Sequence, residues 1–135
     1  MTREANPMPH DIARIVWAAL LVSQWVYAGV VLFIGEPDVA RSSETLLPIA
    51  LGSVACALAA GAHFAWRSAT GTHLPAHSGP PELPVALPRY IIAWMLIEAI
   101  ALGGLVLGML GFGASSWGPF MVAGTILMFL HQPRA

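Results

Sequence analysis

Residues 90–112 read YIIAWMLIEAIALGGLVLGMLGF, and this stretch decides the fold class because Glu98 is its one charged residue. An α-helix rises about 1.5 Å per residue, so the run is long enough to cross a hydrocarbon core about 30 Å thick. A run of this length and composition predicts a transmembrane helix.

Three further apolar runs cover residues 12–34, 46–66 and 117–130. The last is short for a full span, so we expect it either to begin earlier, near Ala114, or to cross a thinned bilayer. Hydrophobic residues make up 57% of the chain and charged residues 10%, against about 25% charged residues in a typical soluble domain. The sequence therefore predicts an all-α integral membrane protein, a single domain of four transmembrane helices whose main partner is the lipid bilayer.

The second and third runs are separated by residues 68–89, which are rich in proline, glycine and serine. Proline cannot occupy a helix interior without cost, so this segment is expected to be an extended connector. Arginines collect at one side of the predicted bundle, which the positive-inside rule assigns to the cytoplasm. We therefore expect a multi-pass protein of the cell inner membrane with both termini and the connector in the cytoplasm. The arginines that carry this orientation are Arg3, Arg14, Arg67, Arg89 and Arg134.

Several function classes receive no support from the sequence. A formal net charge of −1 provides no basic patch for nucleic acid, and a single cysteine, Cys56, excludes an internal disulfide. The chain contains no nucleophile motif, glycine-rich phosphate loop or Cys/His zinc pattern. We therefore expect no enzymatic activity, no catalytic residue and no cofactor.

The second run is rich in small residues at four-residue spacing, which lie on one face of a helix. In lipid, helices gain little by burying leucine against leucine and associate where small side chains let backbones approach. This pattern predicts that the second helix is the packing spine, with a glycine face on the third helix as its counterpart. The predicted packing residues are Gly52, Ser53, Ala57, Gly61, Gly103 and Gly104.

The first and third runs resemble each other when they are aligned without gaps. Ser23 then meets Glu98, Gly29 meets Gly104, and each run is followed by a helix with a proline in its first turn. The chain is either a duplicated helical hairpin or two apolar helices that align by chance because few residue types are in use.

Glu98 is the candidate functional residue. It lies about 13 Å into its predicted helix, near mid-membrane, where an ionised carboxylate costs about 2.5–3.5 kcal/mol on the lenient insertion scale. Its candidate neighbours are neutral: Ser23, Gln24 and Tyr27 on the first helix, Ser53 on the second and Thr125 on the fourth. One interpretation is a proton or cation site; the other is a protonated acid that hydrogen-bonds its neighbours and fixes helix packing.

The stretch from Leu96 to Gly108, LIEAIALGGLVLG, resembles the ion-carrying helix of rotary ATPase proteolipids, the c-type subunits. The resemblance implies that Glu98 matches the ion-binding carboxylate of that family and that the small-residue second helix matches its glycine-rich partner. Three features depart from the family pattern: the long proline-rich connector, the two extra helices, and Leu102 where the family usually has an aromatic residue.

His63 and His131 are both predicted near the inner ends of their helices. Paired histidines on neighbouring helices hold haem or metal ions in some membrane proteins; the alternative is two interfacial histidines beside Trp66 and Arg134. The latter interpretation is preferred, because no carboxylate is evident to orient either ring. Trp17, Trp66 and Trp94 are expected in an aromatic belt at the same interface.

The preferred function is a structural or accessory component of the membrane, which self-associates or joins a membrane complex through its second and third helices. The first alternative is a proteolipid-like proton-translocating subunit that uses Glu98. The second alternative is a haem- or quinone-binding redox subunit that uses His63 and His131.

Overall fold

The computed structural model describes residues 9–35, 44–70 and 83–133. These residues form four α-helices and no strand, which confirms the predicted all-α, four-helix architecture for the described part of the chain. Three of the helices are long and apolar enough to cross a membrane, and the fourth is shorter. The helices are α1 (Pro9–Ile34), α2 (Leu46–Ala69), α3 (Leu83–Met109) and α4 (Ala114–Leu130).

The proline-rich connector is shorter than its predicted range of 68–89. The α2 helix continues to Ala69 and α3 already begins at Leu83, whereas residues 71–82 lie outside the described part. Pro84 falls in the first turn of α3, where the backbone N–H has no partner in any helix. Pro88 removes only one further hydrogen bond, so the helix continues through it.

The third helix ends earlier than predicted, at Met109, because a tight turn stops it. Gly111 has a φ of 89°, a left-handed conformation that glycine adopts without steric cost. The N–H of Phe112 donates to the Leu107 carbonyl at 3.0 Å, and that of Gly111 donates to the Gly108 carbonyl at 3.1 Å. This pair of bonds is the Schellman motif, and it lets α4 begin at Ala114, the earlier of the two starts considered.

The third helix is the centre of the bundle. It packs against α2, α4 and α1, while α1 and α2 make almost no contact with each other. Several of the largest fully buried side chains belong to it, among them Trp94, Ile97 and Leu107. The central packing position therefore belongs to α3, not to α2 as the small-residue pattern predicted.

Glycines on α3 explain how its neighbours approach so closely. A Cβ on Gly104 would lie 2.9 Å from Phe120 Cβ and 3.0 Å from the Trp117 carbonyl oxygen of α4. A Cβ on Gly103 would meet the Phe120 ring at 3.5 Å, and one on Gly108 would overlap the side chain of Val31 on α1. Gly104 and Gly108 admit only hydrogen, so the approach of α4 and of α1 depends on them, whereas the contact at Gly103 is an ordinary one.

The small residues of α2 are distributed differently. A Cβ on Gly61 would lie 3.4 Å from Leu96 of α3, but one on Gly52 would meet nothing within 4 Å. Ser53 and Ala57 are exposed. Two of the four predicted packing residues of α2, Ser53 and Ala57, therefore lie on its outer side.

The outer surface of the described helices is apolar. Phe33 is 91% exposed and Leu46 is 82% exposed, and most other exposed large side chains are isoleucine, leucine, valine or phenylalanine. Three polar or ionisable residues are buried among the described residues, Gln24, Glu98 and His131. The usual arrangement of a soluble domain is therefore reversed, with apolar side chains outside and polar groups enclosed.

Candidate functional site

Glu98 lies at the midpoint of the apolar span Leu87–Met109 and is 6% exposed. The side chains that cover it come from α1, which runs beside α3. Ser23 Oγ contacts Glu98 Oε1, and Gln24 Nε2 donates to Glu98 Oε2 at 3.1 Å. Both carboxyl oxygens are thus engaged by neutral groups.

The Ser23 hydroxyl lies between two oxygens that can accept its proton. Ser23 Oγ is also 2.7 Å from the Leu20 carbonyl oxygen, which can only accept. A serine hydroxyl carries one proton, so it cannot donate to both Leu20 and Glu98. An ionised Glu98 therefore competes with the Leu20 carbonyl for the Ser23 proton, whereas a carboxylic acid at Glu98 that donates to Ser23 Oγ satisfies both contacts at once.

The fourth helix joins this arrangement through Gln24. Thr125 Oγ1 lies 3.5 Å from Gln24 Oε1, and the Gln24 side chain is 2% exposed. The four residues Ser23, Gln24, Glu98 and Thr125, called here the carboxyl network, link α1, α3 and α4. Each side-chain N or O atom of the network has at least one hydrogen-bond partner, so its burial leaves none of these atoms unpaired.

Tyr27 lies one turn beyond Ser23 on the same face of α1. Its phenol interacts with both Glu98 and Ser23, although the side chain is only partly buried. The predicted neighbours Ser23, Gln24 and Tyr27 therefore lie at Glu98, because α1 and α3 run in the same direction and bring matching depths together. The prediction of Ser53 was wrong: it is exposed on α2 and bonds to the Ile49 carbonyl of its own helix.

An apolar groove of about 260 Å³ lies between α1 and α4 beside the carboxyl network. Two of its lining residues are polar, Gln24 and Thr125, and the remainder are apolar or aromatic. The Gln24 side chain separates the groove from Glu98, so the carboxyl itself does not line it. The apolar lining residues are Trp25, Ala28, Met121, Val122 and Ile126.

A second cluster of interest, made of two histidines and a tryptophan, lies at the junction of α2 and α4. The ring centroids of His63 and His131 are 5.7 Å apart with the rings nearly perpendicular. Trp66 packs edge-on to His131 at 5.2 Å and stacks on His63 at 6.3 Å. The sequence predicted each histidine near a helix end, and the fold brings them into contact.

His131 is fixed by three hydrogen bonds, two of them to the same carbonyl oxygen. Its ring Nδ1 is 2.8 Å from the Leu127 carbonyl oxygen, its backbone N–H donates to the same oxygen at 3.0 Å, and its carbonyl accepts from Trp94 Nε1 at 2.9 Å. His131 follows the last residue of α4, outside the helices. Burial lowers the pKa of its ring, the bond to Leu127 opposes this shift, and the neighbouring His63 adds to it.

The histidine pair does not favour a haem. Axial ligands must face each other across a porphyrin, whereas these rings touch each other directly and Trp66 packs on both. Among the described residues, no group of three or more His, Cys, Asp or Glu side chains comes together. The side chain of His10 and the residues His73 and His77 lie outside the described part.

Sequence reasoning missed the role of two tryptophans. Trp17 and Trp94 were assigned to an interfacial belt, yet Trp94 is fully buried. The Trp17 indole donates to the Met128 carbonyl at 2.9 Å, and that of Trp94 donates to His131. The last carbonyls of a helix lack intrahelical partners, so these indoles cap α4. The sequence feature that could have indicated this cap is the presence of tryptophans at the depth where α4 ends.

The sequence matches no protein-family model, and neither a curated protein nor a solved structure is detectably similar to it.

Proposed function

We propose that this protein is a small multi-pass protein of the inner membrane that serves as a structural or accessory component. Three helices of sufficient length and apolarity support the membrane assignment. The apolar outer surface supports it too, because side chains such as Phe33 and Leu46 would otherwise be exposed to water.

The proposed orientation puts both termini and the proline-rich connector in the cytoplasm. Reporter fusions at Gly79 and at the C-terminus should read cytoplasmic, and a fusion at Ser43 should read external. A cytoplasmic reading at Ser43 would remove the four-span topology while leaving the helical fold intact.

The observation that carries the structural role is the closed state of the carboxyl network. Glu98 is nearly inaccessible, both its oxygens are engaged within one chain, and its partners Ser23 and Gln24 are neutral. A protonated acid in this position acts as an interhelical clamp between α1 and α3. A neighbouring subunit would reach Glu98 only after α1 had moved, which argues against a rotor role of the c-type kind.

The experiment compares Glu98→Gln with Glu98→Leu in mild detergent. The Gln amide donates to Ser23 and accepts from Gln24, so it preserves the network. Leu leaves the Gln24 amide without its acceptor at a cost of about 2 kcal/mol, while Ser23 keeps its bond to Leu20. We expect the free energy of unfolding of Glu98→Gln to lie within about 0.5 kcal/mol of that of the wild type. If Gln proves as damaging as Leu, the carboxylate charge is required and the neutral clamp is wrong.

Proton translocation is the second candidate function, favoured by one observation: the Tyr27 and Ser23 hydroxyls lie next to the carboxyl, which gives Glu98 exchangeable neighbours. Proteoliposomes with an imposed potential and an internal pH dye test it directly. Potential-driven proton uptake that Glu98→Gln abolishes would establish this function. The clamp model expects no uptake by either protein.

We further propose that the chain self-associates through the exposed small-residue side of α2. Ser53 and Ala57 lie on that side, and the chain's one cysteine, Cys56, is exposed there as well. Oxidative cross-linking in membranes should therefore give a disulfide dimer through Cys56. Ala57→Leu should abolish the dimer if close helix approach is required, and a purely monomeric chain would not cross-link at all.

A further inference from the structure

We infer that His63 and His131 form a binding site for a late first-row transition-metal ion at the junction of α2 and α4. This inference goes beyond the proposed accessory role and does not depend on Glu98. It rests on the contact between the two rings, on the anchoring of one of them, and on the accessibility of the other.

The anchoring of His131 leaves a defined nitrogen for a metal. Nδ1 faces the Leu127 carbonyl, which only accepts, so Nδ1 carries the proton and Nε2 presents its lone pair. Metal-bound histidines almost always donate their second ring N–H to a carbonyl, a carboxylate or water. The sequence shows no carboxylate that could orient the ring. The Leu127 carbonyl takes that role in the structure.

The distance between the rings suits a shared ion. With metal–nitrogen bonds of about 2.0–2.1 Å, two imidazoles on one tetrahedral ion have ring centroids roughly 5 Å apart. The observed separation is 5.7 Å, and His63 is exposed, so its ring has room to turn. His131 supplies the fixed ligand, His63 the mobile one, and water completes the coordination.

The ligand set selects the kind of ion. Two neutral imidazoles without a carboxylate or thiolate favour copper, nickel and zinc over magnesium or calcium, and copper binds most tightly in the divalent series. The position beside Trp66 gives the site an aromatic wall on one side.

The test uses Cu²⁺ and the full chain in detergent, with His10, His73 and His77 replaced by asparagine so that His63 and His131 are the only histidines that remain. We expect one Cu²⁺ per chain, with nitrogen hyperfine structure in its electron paramagnetic resonance spectrum. His63→Gln and His131→Gln should each weaken binding at least tenfold. Because His63 is exposed, its substitution leaves the fold intact, which circular dichroism verifies.

A matched control is Gln132→Ala, which lies next to His131 and should bind Cu²⁺ as the background chain does. The inference is overturned if the background chain binds no Cu²⁺. It is also overturned if His63→Gln binds with unchanged affinity, since the site then does not use the pair.

Discussion

The second and third helices differ far more in the structure than in the sequence. Both are long apolar helices, yet half of the most apolar window of α3 is buried and only 6% of that of α2. The helix with the denser small-residue pattern lies at the side of the bundle, and the helix with an acid and a few glycines lies at its centre.

The difference shows what small residues determine in such a bundle. On α3, Gly104 and Gly108 lie where a neighbouring helix crosses, so their lack of a side chain sets the distance between backbones. On α2, Gly52 faces open space. A small residue stabilises packing only where a partner helix crosses it, and a sequence pattern does not show where that crossing is.

The largest expected effect contrasts Gly104→Leu with Ala57→Leu. A side chain on Gly104 meets the Trp117 backbone, which cannot move aside, so we expect a loss of at least about 3 kcal/mol or failure to fold. Ala57 is exposed, and Leu there should cost under about 0.5 kcal/mol. Unfolding by sodium dodecyl sulfate from mild detergent measures both; similar losses would show that α2 is packed as tightly as α3.

Gln24→Leu and Ser53→Leu form the next pair, because each replaces a polar residue by an apolar one. Gln24 connects Glu98 to Thr125 within the carboxyl network, so its loss should cost about 2 kcal/mol. Ser53 bonds only to the Ile49 carbonyl of its own helix, and its replacement should be nearly neutral. The same unfolding assay applies, and a neutral Gln24→Leu would mean that the network contributes no stability.

Gly61→Leu probes the one predicted packing glycine of α2 that faces α3. A Cβ there would meet the end of the Leu96 side chain, which can rotate away, so we expect a loss of about 1.5 kcal/mol. The control is Ala19→Leu at an exposed position of α1, which should change stability little. If the two changes alter the free energy of unfolding equally, neither glycine of α2 contributes to packing.

The smallest expected effect concerns the tryptophan that caps α4 from α3. Trp94→Phe keeps most of the ring volume and removes the hydrogen bond to the His131 carbonyl, at a cost of about 1 kcal/mol. Trp25→Phe is the matched change at an indole that is 64% exposed. The stability of both variants is measured by thermal unfolding in detergent. Equal stability of the two would show that the hydrogen bond from Trp94 does not stabilise the protein.

Sequence reasoning located Glu98 and its immediate neighbours because depth along a helix is a local property. Ser23, Gln24 and Tyr27 lie at the same depth as Glu98 once α1 and α3 are parallel. It did not predict that Ser23 also bonds to the Leu20 carbonyl, which competes with Glu98 for the one Ser23 proton. Nor did it predict the contact between His63 and His131, which belong to different hairpins and meet only because α2 and α4 both pack on α3.

The sequence by itself determined the number of helices and their approximate limits, since the length of an apolar run and the residues that break it are read from neighbouring positions. Only the tertiary structure decided which helix lies at the centre, which glycines face a crossing helix, and which polar side chains share a partner. The physical reason is that apolar residues surround these helices on all sides, so no hydrophobic face distinguishes inside from outside. Close packing and hydrogen bonding then select the arrangement, and both depend on atoms far apart in the chain.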